Sequence, residues 1–158
     1  MSSSRQEISP YNYIKYFKRH TALLVSMDKN GKLNVMALDW KNIEELDGSP
    51  VIRVQVAYSR YTYKLLTEGV NEFTVNIPSE KIYDAIDIAG SYSGRNFDKF
   101  KEIHLETIPG KRTQVPTIKD CLLNYECQIV HSSESNLSSH HYFYGKILTA
   151  YALNDIFK

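Results

Sequence analysis

A tight turn between two strand-like runs constrains the fold of this chain more than any other sequence feature. An apolar run over residues 21–27 precedes Asp28-Lys-Asn-Gly31, and a second run follows over residues 32–38. Asn-Gly is typical of hairpin turns because both residues tolerate positive φ angles. Strands joined in this way are antiparallel, whereas a doubly wound parallel sheet needs strands that alternate with helices. The pattern Gly-x-Gly-x-x-Gly is also absent, so a dinucleotide-binding Rossmann unit is disfavoured.

Later segments extend the antiparallel interpretation. Apolar and polar residues alternate over residues 50–57 and 73–77, and two long strand-like segments follow at residues 118–130 and His140–Leu153. Alternation of this kind is typical of strands that are buried on one face. Five or six strands, several of them joined by hairpins, predict a mainly β fold, an antiparallel barrel capped by short helices.

Four short helices are predicted around these strands. The first helix begins at Ser9-Pro10 and runs to residue 20, and the second spans Tyr61–Glu68. The third and fourth lie around residues 82–89 and 96–103. Serine caps the first helix and proline suits its first turn, while Gly69 ends the second. Residues 105–116 hold two prolines and a glycine, which predicts an irregular connection.

Size and charge exclude several classes of protein. The chain has 158 residues and a formal net charge of +1. This length suits one domain, residues 1–158, with residues 1–20 as its N-terminal helical segment. The small charge provides no field that would attract nucleic acid or an anionic membrane. No apolar run is long enough for a transmembrane helix.

The two cysteines indicate the compartment. Cys121 and Cys127 lie on one predicted strand, where six residues extend over roughly 20 Å, too far for a disulfide. Both are therefore predicted to be reduced thiols. The first residues lack the apolar segment of a signal peptide, and together these features predict a cytoplasmic protein.

The tetrapeptide Ser59-Arg-Tyr-Thr62 follows a predicted strand and opens a predicted helix. A helix N-terminus carries partial positive charge and suits a phosphate. Arg60 adds a fork of donors that matches phosphate oxygens, and the hydroxyls of Ser59 and Thr62 can donate as well. A capped helix with a solvated arginine is the alternative, and it is the commoner role of such a start.

Two further segments could contact a flat ligand. Asn34-Val-Met-Ala-Leu-Asp-Trp40 lies where strand alternation breaks, so its backbone groups can bond the polar edge of a flat ring while Trp40 packs beside it. In Gly94-Arg-Asn-Phe-Asp-Lys-Phe100, Lys99 is a candidate cation near the ring or the phosphate of such a ligand, and Arg95 can pair with Asp98. The alternatives are a core or interface tryptophan, and a solvated helix start with buried phenylalanines.

His140 and His141 are neighbours on the last predicted strand. Their side chains point to opposite faces, so they cannot share a metal, and no metal site is predicted. One of them can face a ligand cleft and donate to the polar edge of a ring or to a phosphate. A surface pair is the alternative. No recognisable nucleophile or acid–base pair is present, so no catalytic side chain is predicted.

Together these segments resemble the flavin reductase-like family, the flavoredoxin-type branch of FMN-binding split β-barrels. The resemblance runs from about Asp28 to Ala150. Its further parts are Glu72-Phe-Thr-Val-Asn-Ile-Pro78, Ile88-Ala-Gly-Ser-Tyr-Ser-Gly-Arg-Asn-Phe-Asp-Lys-Phe100, Val115-Pro-Thr-Ile-Lys-Asp-Cys-Leu-Leu-Asn-Tyr-Glu-Cys-Gln-Ile-Val130 and His140-His-Tyr-Phe-Tyr-Gly-Lys-Ile147.

The resemblance implies a Greek-key split β-barrel that holds FMN without a covalent bond, in a cleft at a homodimer interface. The ring contacts that it implies are Asn34, Met36, Ala37, Leu38, Asp39 and Trp40. The phosphate contacts are Ser59, Arg60 and Thr62, and the residues that close the site are Asn76, Lys99 and His140.

The function expected from this resemblance is redox chemistry carried by FMN. The chain is expected to be an NAD(P)H-dependent flavin reductase, with NADH or NADPH as donor, or a flavoredoxin-like carrier with a redox partner protein. The alternatives are a non-enzymatic module that stores FMN, a pyridoxamine-phosphate oxidase-like protein, and a haem-handling protein.

Overall fold

Antiparallel pairing organises this chain, and the computed structural model describes residues 4–91, 93 and 98–154. The strands are β1 (Arg5–Ile8), β2 (Ala22–Met27), β3 (Leu33–Leu38), β4 (Lys41–Leu46), β5 (Ser49–Ala57), β6 (Glu72–Pro78), β7 (Thr107–Ile108), β8 (Thr117–Ile118), β9 (Cys121–Glu134) and β10 (His140–Leu153). The helices are α1 (Ile14–Arg19), α2 (Tyr61–Glu68), α3 (Asp84–Ser91) and α4 (Lys99–Ile103), with one 3₁₀ turn at Glu80–Ile82.

One large sheet contains most of these strands. Its order is β3-β2-β6-β9-β10-β5-β4, with β1 paired to β10, and every pairing is antiparallel. Strand β6 returns beside β2 rather than beside β5, which is a Greek-key crossing. The predicted mainly β, antiparallel architecture with short helices is confirmed. None of the described helices has the length and apolar character needed to cross a membrane.

Strand β2 is buried on both faces because two hydrophobic cores meet there. Leu24 belongs to the core that β5, β6, β9 and β10 enclose, together with Phe17 of α1. Leu23 and Val25 point to the other side, where Ala89 of α3 covers them. An uninterrupted apolar run, rather than alternation, is what such a strand requires.

The N-terminus differs from the predicted helical segment over residues 1–20, in which a helix was expected to start at Ser9-Pro10. Residues Arg5–Ile8 instead form strand β1, which pairs with the end of β10. The carbonyl of Ser9 accepts a hydrogen bond from the amide of Asn12 in a turn, and α1 begins only at Ile14. The serine–proline pair thus makes a turn between strand β1 and helix α1. Strand β1 could not be predicted from local patterns, because its pairing partner lies almost 150 residues away in the sequence.

Strand β4 is absent from the sequence prediction. It joins β5 through Asp47-Gly48, where both residues have positive φ (52° and 78°). Asp-Gly is a strong signal for a two-residue hairpin, so the sequence did carry this information. The strand was not predicted because the residues of Lys41–Leu46 are largely polar.

The predicted hairpin at Asp28-Lys-Asn-Gly31 is present, but its geometry differs from the expectation. Of its residues only Gly31 has a positive φ, 89°. The loop is longer than a two-residue turn, and the Asp28 carboxylate accepts from the amides of Asn30 (2.9 Å) and Lys32 (2.8 Å). Aspartate therefore organises the loop, and asparagine keeps an ordinary conformation.

Helix α2 and strand β10 have the predicted bounds, and the other predicted elements are present with shifted ends. Helix α3 begins two residues later than predicted, and α4 begins at Lys99 with Asp98 as its cap, while residues 96 and 97 lie outside the described part of the chain. The predicted strand over residues 118–130 divides at Asp120, which has a φ of 64°, into β8 and β9. Residues 105–116 are largely irregular, with only β7 as regular structure.

Both cysteines are buried free thiols. Cys127 belongs to the core inside the barrel, and Cys121 belongs to the core beneath α3. Burial raises the pKa of each thiol well above its ordinary value, so neither is available as a reactive thiolate in the folded protein.

Gly145 lies where β10 packs tightly across the barrel interior. A Cβ at this position would lie 2.4 Å from Cζ of Phe73 and 2.8 Å from Cβ of Cys127. The register between β9 and β10 also shifts here, between Tyr144 and Gly145. The core thus has no room for a methyl group at the centre of its longest strand pair.

We expect Gly145→Ala to destabilise the protein by roughly 1–3 kcal/mol through overpacking. The matched control is Gly90→Ala in helix α3, where a Cβ would meet the Ala37 methyl at an ordinary contact distance of 3.7 Å. That change should be neutral or stabilise by up to about 1 kcal/mol, because alanine favours a helix. Urea denaturation at constant m-value measures both free energies of unfolding. Equal stability of the two variants would show that the barrel interior adjusts freely around β10.

Candidate functional site: two adjoining cavities beside helix α2

Two cavities adjoin at the start of helix α2. The first, which we call the cation cavity, has a volume of about 470 Å³ and is lined by Asn34, Met36, Ala57, Ser59, Arg60, Tyr61, Thr62, Gly90, Ser91, Ser93 and Lys99. The second, the Trp40 cavity, has about 220 Å³ and is lined by Met36, Ala37, Leu38, Asp39, Trp40, Gln55, Val56, Ala57, Arg60 and His140. They share Met36, Ala57 and Arg60, so one elongated ligand could occupy both.

The local chain path places Arg60 between the cavities. Strand β5 ends at Ala57, whose carbonyl accepts from the amide of Arg60 at 3.0 Å in a tight turn. Arg60 is extended (φ −76°, ψ 139°) and immediately precedes the first residue of α2. Its exposed side chain therefore lies beside the positive end of a helix.

Thr62, in the first turn of α2, is tied to strand β3. Its hydroxyl oxygen accepts a hydrogen bond from the amide nitrogen of Asn34 at 3.2 Å, and both side chains are buried. This bond joins the floor of the cation cavity to the helix start. It also fixes Asn34 at the cavity wall.

Lys99 is a buried cation at the opposite wall of the same cavity. Its Nζ donates to the carbonyl oxygens of Val35 (2.6 Å) on β3 and Ala89 (3.0 Å) on α3. Burial and, to a smaller degree, the nearby guanidinium of Arg60 together lower the pKa of Lys99 to about 8. The ammonium is thus poorly solvated and faces a second positive charge.

Electrostatics select the kind of ligand that this cavity favours. Its described lining residues include Arg60 and Lys99 but no aspartate or glutamate. Two cations and a helix start around one space favour an anion, because an anion would relieve both the desolvation and the mutual repulsion. A phosphate has the charge and the acceptor atoms for these donors.

The Trp40 cavity has a different character. Trp40 packs on Tyr142 at 5.2 Å between ring centroids, and the guanidinium of Arg53 lies 5.0 Å from the Trp40 ring. Asp39 is exposed and accepts a hydrogen bond from the hydroxyl of Thr21. Backbone groups, apolar side chains and polar side chains such as Gln55 therefore border this space together, and such a mixed border suits a flat ring with a polar edge.

The two neighbouring histidines have separate surroundings. His140 lines the Trp40 cavity, and its Nδ1 lies 2.8 Å from the hydroxyl of Ser139. His141 points to the other face, where its Nδ1 lies 3.2 Å from the hydroxyl of Tyr58 and its ring packs on Phe143. The structure thus assigns the cavity-facing position to His140, which sequence alone left open.

The cofactor contact that the resemblance implied for Asn76 requires a correction. Its side chain is fully buried in the sheet. The amide nitrogen donates to the carbonyl of Leu23 and the hydroxyl of Thr74, and the amide oxygen accepts from the Ile118 amide and the Asn124 side chain. All of its hydrogen-bonding groups are used within the fold, so Asn76 cannot reach a ligand in either cavity.

The other predicted site residues line at least one cavity. They are Asn34, Met36, Ala37, Leu38, Asp39, Trp40, Ser59, Arg60, Thr62, Lys99 and His140. The proposed ion pair between Arg95 and Asp98 falls partly outside the described residues, since residues 94–97 are not described. Asp98 itself caps α4 by accepting from the amide of Lys101 at 3.2 Å.

Sequence reasoning missed several lining residues. Gln55 and Ala57 lie at the end of β5, and Gly90, Ser91 and Ser93 lie at the end of α3 and just beyond it. Gln55 belongs to the polar face of an alternating strand, and that alternation could have identified it. The α3 residues carry no comparable local signal, because their position follows from packing of α3 on β2 and β3.

Three relatives illustrate the similarity of this chain to known proteins. An uncharacterised protein of Archaeoglobus fulgidus is 34% identical over 139 residues, covering 87% of this chain and 75% of that protein. The structure of flavoredoxin from Methanosarcina acetivorans is 30% identical and has a TM-score of 0.74, covering 94% of this chain and 76% of that one. An FMN-binding domain of a flavin reductases-like enzyme from Shewanella baltica has a TM-score of 0.83 over 100% of this chain and 82% of that one.

At 16% identity, the Shewanella structure supports the fold alone, and that fold is the split β-barrel expected from the sequence. The family model described as "Flavin reductase like domain" matches residues 14–158, which is nearly the whole chain. The cavities beside α2 thus lie in a fold already known from such proteins, and the chain belongs to the flavin reductase-like domain family.

Proposed function

We propose that this chain binds FMN and performs redox chemistry with it. The observation that carries the proposal is the cation cavity, where Arg60, Lys99 and the start of α2 surround a space without a described acidic lining residue. The 5′-phosphate of FMN would occupy this cavity, with Ser59 and Thr62 as further donors. Membership of a family of flavin proteins and similarity to a flavoredoxin support this assignment.

The adjoining Trp40 cavity would hold the isoalloxazine ring. Met36 to Trp40 form one wall, and Trp40 offers a ring that packs against Tyr142 and Arg53. His140 would donate to the polar edge of the ring or to the phosphate. This arrangement binds and orients the ring, while the flavin itself supplies the electron-transfer chemistry.

The finer proposal is an NAD(P)H-dependent flavin reductase, with NADH or NADPH as the electron donor. The absence of a predicted catalytic acid or base fits this activity, because hydride transfer to a flavin requires no proton from the protein. A flavoredoxin-like carrier that exchanges electrons with a redox partner protein is the second candidate, favoured by the similarity to flavoredoxin. We also propose a homodimer in the cytoplasm, acting as a single domain.

We expect Arg60→Ala to weaken FMN binding by about tenfold or more, because a charged hydrogen bond to phosphate is lost. Riboflavin, which lacks the phosphate, should bind both proteins almost equally. Fluorescence titration of each flavin into apoprotein measures the two dissociation constants. Arg53→Ala is a control, because Arg53 lies beside Trp40 and pairs with Glu44 outside the cation cavity.

Two results would contradict the assignment of Arg60 to the phosphate. If the native protein takes up no added FMN, the proposal that the chain binds FMN is wrong. Equal loss of FMN and riboflavin in Arg60→Ala would mean that the residue supports the fold or the ring site instead. Arg53→Ala should affect both flavins alike, since its effect would come through the ring.

The affinity for FMN should decrease as pH rises above about 8. In the free protein the pKa of Lys99 is lowered to about 8, and a bound phosphate would favour the charged ammonium. Below this pH the ammonium is present before binding. Above it, binding must take up a proton, so the affinity falls by up to about tenfold per pH unit until the pKa of the complex is reached.

Titration of FMN at several pH values in Lys99→Met tests this expectation, since that variant should lose the decrease above pH 8. Lys41→Met is the matched control. Burial lowers the pKa of Lys41 to about 8 as well, but Lys41 donates to the carbonyl of His20 and lines neither cavity. A decrease that survives in Lys99→Met and disappears in Lys41→Met would place the titrating group elsewhere.

Anaerobic mixing with NADH or NADPH separates the two candidate activities. A reductase should lose its flavin absorbance within seconds of mixing with one of these donors, faster than free FMN under the same conditions. A carrier should keep its absorbance for many minutes and be reduced readily by dithionite or a reduced partner protein. That second outcome would overturn the reductase proposal while leaving FMN binding intact.

A further inference from the structure

A separate cavity lies where the N-terminal strand β1 passes the start of β9. Its volume is about 400 Å³, within the range of small-molecule sites. Strand β1, helix α1, the turn after β6 and the beginning of β9 provide its walls. It shares no lining residue with the cation cavity or the Trp40 cavity. We call it the Arg5 cavity.

The guanidinium of Arg5 is one of several polar groups that line this cavity, and two hydrogen bonds hold it in place. Its Nη1 donates to the hydroxyl of Thr117 (2.9 Å) and the amide oxygen of Asn124 (3.0 Å), and its Cζ lies 4.0 Å from the centroid of the Tyr151 ring. These partners fix the plane of the guanidinium, but none of them carries a negative charge. The five N–H donors of arginine exceed the two hydrogen bonds made here.

Arg5 forms no ion pair with any carboxylate among the described residues. Burial lowers its pKa, which reflects a cation that has lost part of its water. The buried carboxylate of Glu126 acts on Arg5 only through its field, because its oxygens accept hydrogen bonds from the backbone amides of Lys111, Arg112 and Thr113. A partly desolvated guanidinium with unused donors favours a carboxylate partner.

The other charged groups around the cavity are paired or exposed, which leaves Arg5 as the cation that a ligand would match. Lys119 pairs with Glu106 at 3.2 Å, and Lys81 lies 3.9 Å from Asp120. Glu80 is exposed, so water and salt screen its charge. A monoanion therefore fits this cavity better than a multiply charged phosphate.

The remaining walls are apolar and aromatic. Ile108, Leu122 and Leu153 line the cavity, and the ring of Tyr83 borders it. Ser79 also lines it, and its hydroxyl has no hydrogen-bond partner within the described part of the chain. A ligand with an apolar body would bury these side chains, which adds affinity in proportion to the apolar area removed from water.

We propose that the Arg5 cavity binds a small monocarboxylate with an apolar body, its carboxylate paired with Arg5 and its body against Ile108, Leu122 and Leu153. The ligand would contact neither flavin cavity, so this is a second binding site rather than part of the redox centre. The proposal depends on this cavity alone and holds whether or not the chain binds FMN.

Three probes test the proposal on the native protein. Benzoate has both the charge and an apolar ring, benzamide has the ring without the charge, and acetate has the charge without the ring. Benzoate should bind at one saturable site, at least about tenfold more tightly than either of the others. Its shifts in ¹H–¹⁵N NMR spectra should concentrate on the amides of Ser79, Asp120 and Asn124, and should persist in the presence of saturating FMN.

A pair of variants tests the role of Arg5 directly. Arg5→Gln should weaken benzoate by about tenfold or more while leaving benzamide unchanged. Arg112→Gln is the matched control, because Arg112 is exposed and does not line the cavity. Tyr83→Ala is a second variant, at a side chain that is 44% exposed and removable without a large core defect. This variant should weaken the binding of benzoate, but the ratio of the affinities for benzoate and benzamide should stay the same.

Several outcomes would overturn the proposal. Equal affinity for benzoate and benzamide would show that the charge of the ligand does not contribute to binding. A folded Arg5→Gln protein that binds benzoate normally would show that Arg5 does not hold the ligand. If the NMR shifts caused by benzoate are centred on Ser59 and Thr62 and disappear when FMN is added, benzoate binds in the cation cavity instead. If Arg5→Gln fails to fold, the probe comparison and the NMR map on native protein still decide the question.

Discussion

The pairing of β9 with β10 is the interaction on which the rest of this structure depends. Strand β10 lies between β9 and β5 and also pairs with β1, so most of the sheet connects through it. At Gly145 the strand comes so close to Phe73 and Cys127 that no side chain fits. The two strands each have 14 residues, and residues near their ends line two of the cavities: His140 lines the Trp40 cavity, and Leu122 and Leu153 line the Arg5 cavity.

The cation cavity shows how a fold can maintain an unfavourable arrangement of charge. Lys99 is buried beside Arg60, which disfavours its protonated form. Its two hydrogen bonds to carbonyl oxygens of β3 and α3 hold the ammonium at the wall. An anion bound there gains from charges that are already in position, because the protein has met the cost of ordering them during folding.

Local sequence signals predicted the elements that depend on local chemistry. Helix α2 and Arg60 at its start were predicted because a strand end, a helix start and Gly69 lie within a dozen residues. Strand β1 was missed because its partner β10 is distant in sequence, and β4 was missed because its residues are largely polar. Lys99 was predicted from a resemblance, whereas its burial between β3 and α3 could be known only from packing.

The case of Asn76 shows the limit of transferring a residue by resemblance. Its position along β6 was predicted correctly, but its side chain completes a network with Thr74, Asn124 and backbone groups of neighbouring strands. Sequence gives the residue type, and only the fold determines whether its amide faces a ligand or the sheet. The Arg5 cavity was missed for the same reason, since its walls come from opposite ends of the chain.

The two buried cysteines give the folded protein an internal reporter of its own opening. Cys127 lies in the barrel core and Cys121 lies beneath α3, and both thiols have raised pKa values. A thiol reagent can therefore reach each one only when the surrounding packing separates. The labelling rates of the two thiols consequently measure the opening of two different regions of the same chain, one enclosed by the sheet and the other covered by a helix.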